Sequence, residues 1–115
     1  MRFHLAFLSV FIAATSAAAE TVKLSGQQIM EVLSDRVVLS TDPHDVSQQL
    51  FQKAGATFFS RGSNQTQGLW KVVGNKYCSV WPPSENWVCY DVMKNGDVVQ
   101  FMAPSGNVSD WKLSK

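Results

Sequence analysis

The sequence has almost no excess of charge of either sign, with 10 basic and 9 acidic residues. Proteins that bind nucleic acid or anionic lipid electrostatically need a basic patch, and this chain has none. Histidine is scarce as well, because only His44 follows the N-terminal segment. A structural zinc site needs four nitrogen or sulfur ligands, which one histidine and two cysteines do not supply. The sequence therefore predicts no nucleic-acid partner, no metal site and no cofactor.

Long hydrophobic runs are also missing after the N-terminus. The one apolar run, residues 5–14, follows the positive charge of Arg2 and precedes three alanines at residues 17–19. This order is typical of a cleavable signal peptide, predicted here over residues 1–19 with cleavage between Ala19 and Glu20. A run of ten residues is too short to span a bilayer core of roughly 30 Å. We therefore predict a periplasmic or secreted protein without stable membrane insertion.

Cysteine occurs only twice, at Cys78 and Cys89, on either side of the sequence W-P-P-S-E-N-W. A hairpin folded about the Pro83–Ser84 midpoint places the two thiols directly opposite each other, within disulfide reach. The same register places Val80 opposite Trp87 and Trp81 opposite Asn86. The spacing is not C-x-x-C, and no basic side chain flanks the thiols to favour a reactive thiolate. The sequence thus predicts a structural disulfide.

One helix is predicted near the start of the mature chain, where Ser25 and Gln28 form a capping box ahead of apolar residues at helical spacing. From residue 36 onward the pattern alternates with period two, with turn signals every eight to twelve residues, among them Asn95-Gly96. We predict a mainly β fold: a single antiparallel meander of seven or eight strands that forms a strongly curled sheet or small open barrel, with one short N-terminal helix. Residues 20–115 form a single domain.

The predicted hairpin register sorts side chains between two faces. Tyr77, Trp81 and Tyr90 share one face, whereas Trp87 lies on the face of the cysteines. Large aromatic side chains most often fill the core of a small domain. If their face is open, however, they form an aromatic platform suited to a glycan, a small apolar ligand or a protein partner. Tyr77, Trp81, Trp87 and Tyr90 are therefore the candidate binding residues.

The chain resembles a group of small secreted alphaproteobacterial proteins of unknown function. The resemblance covers nearly all of the mature chain and rests on an L-S-G-x-x-I helix start, a G-x-W-x-V strand, a C-x-x-W…W-x-C-Y hairpin and a Gly-containing tail. These motifs correspond to residues 24–29, 68–72, 78–90 and 105–106. The resemblance implies an exported β-domain and transfers no catalytic residue. One departure is the sequence at residues 53–56, where such proteins have an acidic turn.

The function predicted from the sequence is an exported, non-enzymatic binding module of the cell envelope that holds a small apolar ligand or a partner protein. One form of this hypothesis is inhibition of an envelope-directed hydrolase such as lysozyme, through Ser105-Gly106 or the tip at residues 81–87. An alternative is a small hydrolase that uses His44 with Asp45, although that segment is also an ordinary polar turn. A third alternative is a purely structural envelope protein.

Overall fold

The computed structural model describes residues 20–114, so the predicted signal peptide lies outside the described residues. Its elements are β1 (Val22–Lys23), α1 (Gly26–Leu33), β2 (Arg36–Ser40), β3 (Ser47–Phe51), β4 (Ala56–Arg61), β5 (Asn64–Val73), β6 (Lys76–Val80), β7 (Val88–Asn95), β8 (Val98–Met102) and β9 (Val108–Leu113). The strands follow the period-two segments of the sequence. Only β1 was not predicted, because two residues carry no periodicity.

Strands β2 to β9 form an antiparallel meander in which each strand pairs with the next along the chain. The meander closes into an eight-stranded barrel because β9 also pairs with β2, with Val38 opposite Leu113. Strand β1 adds to the part of β7 that extends beyond β6, with Lys23 opposite Met93. Closure removes the unpaired edges that an open sheet would expose. The predicted fold class is confirmed.

The helix closes one end of the barrel. Its capping box forms as predicted: the backbone N–H of Gln28 donates to Ser25 Oγ at 3.2 Å, and that of Ser25 donates to Gln28 Oε1 at 2.9 Å. Ile29 and Leu33, one turn apart, are fully buried against the strands. Among residues 20–114, no helix is long and apolar enough to cross a membrane.

The helix start approaches the β5–β6 turn closely. A Cβ atom at Gly26 would collide with the carbonyl oxygen of Gly74, so glycine is required by this contact. The backbone N–H of Gly26 donates to Asn75 Oδ1 at 2.9 Å, which provides a partner for one of the free amides of the first turn. The leucine-serine-glycine start of the helix thus sets how it docks as well as where it begins.

The core fills the barrel between the helix and the middle of the strands. Phe51 lies at its centre, with its ring 5.6 Å from that of Trp70 and 5.5 Å from that of Tyr77, both edge to face. The indole N–H of Trp70 donates to the Gln52 carbonyl at 2.7 Å, so this buried polar group has a partner. The other buried hydrophobic members of the core are Leu24, Ile29, Leu33, Val38, Val92, Val99, Phe101 and Leu113.

The cysteine hairpin has the predicted register at its base. Cys78 and Cys89 are directly opposite, with Cα atoms 4.0 Å apart, and form the disulfide. Next to them, Lys76 Nζ lies 3.0 Å from Asp91 Oδ1, and this hydrogen bond lowers the pKa of the Asp91 carboxyl.

The predicted pairing at the hairpin tip is wrong, because the β6–β7 ladder ends at Ser79 opposite Val88. The expected pairs of Val80 with Trp87 and of Trp81 with Asn86 do not form. Residues 82 and 83 are prolines and have no N–H to donate to a ladder, and residues 81–87 form a loop instead.

Candidate functional site

The barrel end opposite α1 is open and contains a cavity with two parts. The connections between β2 and β3, β4 and β5, β6 and β7, and β8 and β9 surround this end, since alternate connections of a meander lie at the same end. An inner chamber of about 140 Å³ is lined by Gln49, Tyr77, Ser79, Trp81, Tyr90, Phe101, Ser109 and Trp111. An outer chamber of about 300 Å³ is lined by Gln49, Phe59, Thr66 and Trp81. Because both chambers share Gln49 and Trp81, we treat them as one site, the mouth site.

Three aromatic rings form the rim of the mouth site. The ring of Phe59 lies 6.5 Å from that of Trp81 and 6.3 Å from that of Trp111, both edge to face. Edge-to-face packing is a favourable arrangement for aromatic pairs. Trp81 and Trp111 are only partly buried, and both line the inner chamber.

Trp81 takes its position because of a glycine on the neighbouring strand. Gly68 in β5 is an inward-facing position, opposite the buried Thr57 of β4. A Cβ atom built on Gly68 would lie 2.7 Å from the nearest atom of the Trp81 ring. The missing side chain therefore makes room for the indole to pack directly on the backbone of β5.

Polar groups of the site form one connected network below the rim. Gln49 Nε2 donates to Thr57 Oγ1 at 3.0 Å and to the Tyr77 hydroxyl at 3.1 Å. Burial raises the pKa of Tyr77 to about 12, and hydrogen bonds with Ser79 and Gln49 offset only part of this effect. Tyr77 thus remains a neutral phenol at physiological pH. The residues that line the two chambers are all aromatic or neutral polar.

The structure brings three of the four candidate binding residues together. Tyr77, Trp81 and Tyr90 line the mouth site, with the two tyrosine rings 5.8 Å apart. Trp87 lies outside the barrel wall, where 39% of its surface is exposed and Lys71 Nζ is 4.0 Å from its ring centroid. It cannot share a ligand with the other three from that position.

Sequence reasoning did not identify Gln49, Phe101 and Trp111 as members of the site. The sequence does contain an indication for Gln49. It alternates with Ser47 and Phe51 at period-two spacing, so it lies on the same face of β3 as the buried Phe51 ring. This indication is useful only once the inward face of β3 is known, and that face is determined by the closure of the barrel.

His44 lies in the β2–β3 connection, exposed, and does not line the mouth site. Its backbone N–H donates to Asp42 Oδ1 at 2.9 Å, the usual role of an aspartate in a polar turn. The Asp45 carboxylate accepts a hydrogen bond from Ser47, which lowers its pKa, and lies 3.5 Å from Arg61. Within residues 20–114 no three histidine, cysteine or carboxylate side chains gather as a metal site would require.

A larger cavity of about 660 Å³, the helix groove, lies beside α1 at the closed end of the barrel. It lies along the helix start, the β3–β4 turn and the β5–β6 turn, and Lys53 and Lys71 contribute positive charge. The amides of Ser25, Gly26 and Gln28 at the helix start already have protein partners. In the described part of the chain, no residue that lines this groove has a buried side-chain polar atom without a hydrogen-bond partner. The mouth site is therefore the stronger candidate.

Comparison of the chain with protein-family models, with curated proteins and with solved structures returned no match. The case for the mouth site accordingly rests on its own geometry. Six aromatic residues and four neutral polar residues surround a cavity that opens at one end of a disulfide-containing barrel.

Proposed function

We propose that this protein is an exported, non-enzymatic binding module that holds a small apolar ligand in the mouth site. The observation that carries the proposal is the incomplete filling of the barrel. Phe51, Trp70 and Val99 fill the half next to the helix, whereas the other half retains an aromatic-lined cavity. Ligand pockets of proteins are typically concave and mostly apolar, with a few polar groups that fix orientation.

The physical reason for this assignment is the cost of leaving aromatic surface in contact with water. Burial of apolar surface stabilises by roughly 25 cal/mol per Å². A ligand that covers the rings of Trp81, Tyr90 and Trp111 removes their apolar surface from water, and this burial favours binding. Tyr90 and Trp111 lie on strands and Trp81 packs on the backbone of β5, so these rings are held in place before a ligand arrives. Little conformational entropy is therefore lost on binding.

The proposed location is the periplasm or the exterior of the cell, as the signal-like segment at residues 1–19 suggests. The Cys78–Cys89 disulfide supports this location, because such bonds persist chiefly in oxidising compartments. Membership in the group of small secreted alphaproteobacterial proteins that the chain resembles is part of the same proposal.

Binding is preferred over hydrolysis because of where the groups lie. The mouth site contains aromatic rings, hydroxyls and one amide, whereas His44 and Asp45 lie in a surface connection with the Asp45 carboxylate bound to Ser47 and Arg61. We expect a His44→Ala variant to bind the ligand as the wild type does. Loss of ligand turnover in that variant would instead support the hydrolase.

The test is native mass spectrometry of the protein purified from its own envelope fraction without reductant, followed by titration with the neutral dye N-phenyl-1-naphthylamine. We expect a non-covalent adduct in the native spectrum and saturable dye fluorescence. Trp81→Ala should weaken dye binding by about tenfold or more, because it removes a wall of both chambers. Trp87→Ala is the matched control on the outside of the barrel and should leave binding unchanged.

A bare mass together with no saturable dye binding would overturn the proposal. The hydrolase-inhibitor hypothesis would then be examined by a lysozyme turbidity assay. Equal loss of dye binding in the Trp81 and Trp87 variants would show that the dye binds outside the mouth site, which contradicts the proposal as well.

A further inference from the structure

We propose that the ligand of the mouth site is an uncharged aromatic molecule that donates one hydrogen bond, from a hydroxyl or N–H group, to Gln49 Oε1. This inference rests on the proposed function and specifies the chemistry of the ligand. It is carried by the hydrogen-bond network below the rim, by the volume of the inner chamber and by the residues that line it.

The first step is the orientation of the Gln49 amide. The Thr57 hydroxyl donates its one proton to the Leu50 carbonyl at 2.8 Å. Thr57 Oγ1 can therefore only accept from Gln49, which lies 3.0 Å away. This arrangement requires the NH₂ group of Gln49, and not its carbonyl oxygen, to face Thr57. Thr57 is fully buried, so water cannot take the place of either bond.

The second step is the atom that remains. The other proton of the Gln49 NH₂ group goes to the Tyr77 hydroxyl at 3.1 Å, so both donors of the amide are used. Within residues 20–114, Gln49 Oε1 has no hydrogen-bond partner. An atom without a partner is either buried or accessible, and the one buried side-chain atom of this kind among these residues is Ser34 Oγ. Oε1 is therefore accessible, and Gln49 lines both chambers. The side chain at the junction of the two chambers therefore carries a free acceptor.

The third step is the size and shape of the occupant. An apolar cavity of about 150 Å³ accommodates a benzene ring in a protein interior, and the inner chamber measures about 140 Å³. Tyr77, Tyr90 and Phe101 line this chamber, so a ring that enters it meets aromatic faces and edges. The outer chamber of about 300 Å³ leaves room for a second ring beside Phe59 and Trp81. An aromatic ligand of one to three rings fits these dimensions.

The fourth step is charge. No acidic or basic residue lines either chamber. A charged ligand would lose its hydration without gaining a counter-ion, which is strongly unfavourable. A neutral donor loses less and gains the hydrogen bond to Oε1, which otherwise has no partner in the protein.

The experiment is an NMR titration of the intact domain with 2-naphthol and with 2-methoxynaphthalene, which has the same rings but no donor. The four tryptophan indole N–H signals report the site: Trp81 and Trp111 lie in it, and Trp87 lies outside the barrel. We expect both probes to shift the Trp81 and Trp111 signals and leave Trp87 unchanged. 2-Naphthol should bind about five- to tenfold more tightly, as expected for one net hydrogen bond.

Two variants locate the preference. Gln49→Leu places a slightly shorter apolar side chain there and removes the acceptor together with the amide donors, so the two probes should bind with equal affinity. Gln48→Leu changes the neighbouring, exposed residue of the same strand and should leave the preference as it is in the wild type. If Gln49→Leu does not fold, the comparison of the two probes on the wild-type protein decides the question alone.

The outcomes separate this inference from the proposed function. Equal binding of the two probes to the wild type, or a preference that persists in Gln49→Leu, would overturn the inference and leave a generic apolar site. Binding of 1-octanol in the absence of naphthol binding would overturn it in the same way. If none of the three probes shifts Trp81 or Trp111, both the inference and the proposed function are wrong.

Discussion

At the scale of single residues, the mouth site depends on positions that look unremarkable in the sequence. Gln49 is one of several glutamines, yet both donors of its amide are used and its carbonyl oxygen is left without a protein partner among the described residues. Gly68 has no side chain, and this missing side chain leaves the space that the Trp81 indole occupies. Tyr77 joins the two halves of the barrel, since its ring packs on Phe51 while its hydroxyl meets Gln49.

The buried phenol of Tyr77 predicts a loss of stability at high pH. Burial raises its pKa to about 12, whereas a tyrosine in the unfolded chain titrates near pH 10. The folded state therefore holds the phenol proton more tightly than the unfolded chain does. The contribution of Tyr77 to the unfolding free energy is complete below about pH 10 and is lost as the pH rises towards 12. By about pH 11 the loss should amount to about 1.4 kcal/mol of unfolding free energy.

Urea unfolding between about pH 8 and pH 11 measures this effect. In Tyr77→Phe this part of the pH dependence should disappear, while Tyr90→Phe, at the half-buried neighbour, should retain it. A Tyr77→Phe variant that loses stability with pH as steeply as the wild type would show that other groups are responsible.

The contact between Gly68 and Trp81 predicts that Gly68→Ala disturbs the mouth site without breaking the barrel. The added methyl group would meet both the Trp81 ring and the Val80 carbonyl, and overpacking of this kind costs about 1–3 kcal/mol. We expect a lower urea midpoint, a shifted Trp81 indole signal and weaker binding of N-phenyl-1-naphthylamine. Gln67→Ala, on the exposed side of the same strand, should change none of the three. An unshifted Trp81 signal in Gly68→Ala would contradict the packing described here.

At the scale of elements, the sequence was informative wherever the determinant is local. The capping box of α1 and the Cys78–Cys89 register follow from residues a few positions apart, and both are confirmed. The wrong tip pairing shows where the same reasoning fails, because it extended the ladder to Trp81, next to the two prolines of the turn, whereas the ladder ends at Ser79. The inward face of β6 could not be chosen from the sequence, since both faces carry large side chains and only the closed barrel makes one of them interior. For the same reason three of the four candidate residues line the mouth site, whereas Trp87 lies outside it and Gln49 was omitted.

The disulfide across β6 and β7 predicts a measurable dependence on reductant. The bond joins residues 11 positions apart, and a loop of that size should contribute about 2–3 kcal/mol by restricting the unfolded chain. We expect the double variant Cys78→Ala/Cys89→Ala to lose about that much unfolding free energy in urea, and reduction of the wild type to produce a similar loss. Reductant should have no effect on the double variant, which serves as its control. A wild type that is indifferent to reductant would mean that the thiols are free in solution.

At the scale of the whole molecule, the two ends of the barrel have different tasks. The helix and the rings around Phe51 close one end and supply the buried core. The other end keeps its cavity, which a small domain with little apolar surface to spare would otherwise be expected to fill. The link between them is the pairing of β2 with β9, because without it the sheet would have two open edges and the mouth site would lose the wall that carries Ser109 and Trp111.

This closure joins the most distant parts of the meander and should therefore form late in folding. Val38 pairs with Leu113 across the closure, whereas Val92 pairs with Phe101 in the hairpin of β7 and β8, and both valines are fully buried. Contacts between distant residues carry a larger loop-closure entropy cost than contacts within a hairpin.

Substitution of each valine by alanine should lower the unfolding free energy by about 2 kcal/mol at equilibrium. The cost should appear mainly as faster unfolding for Val38→Ala and as slower folding for Val92→Ala. Stopped-flow measurement of both limbs in urea separates the two effects. If Val38→Ala slows folding as much as Val92→Ala does, the barrel closes before its transition state, and the open end is shaped early rather than last.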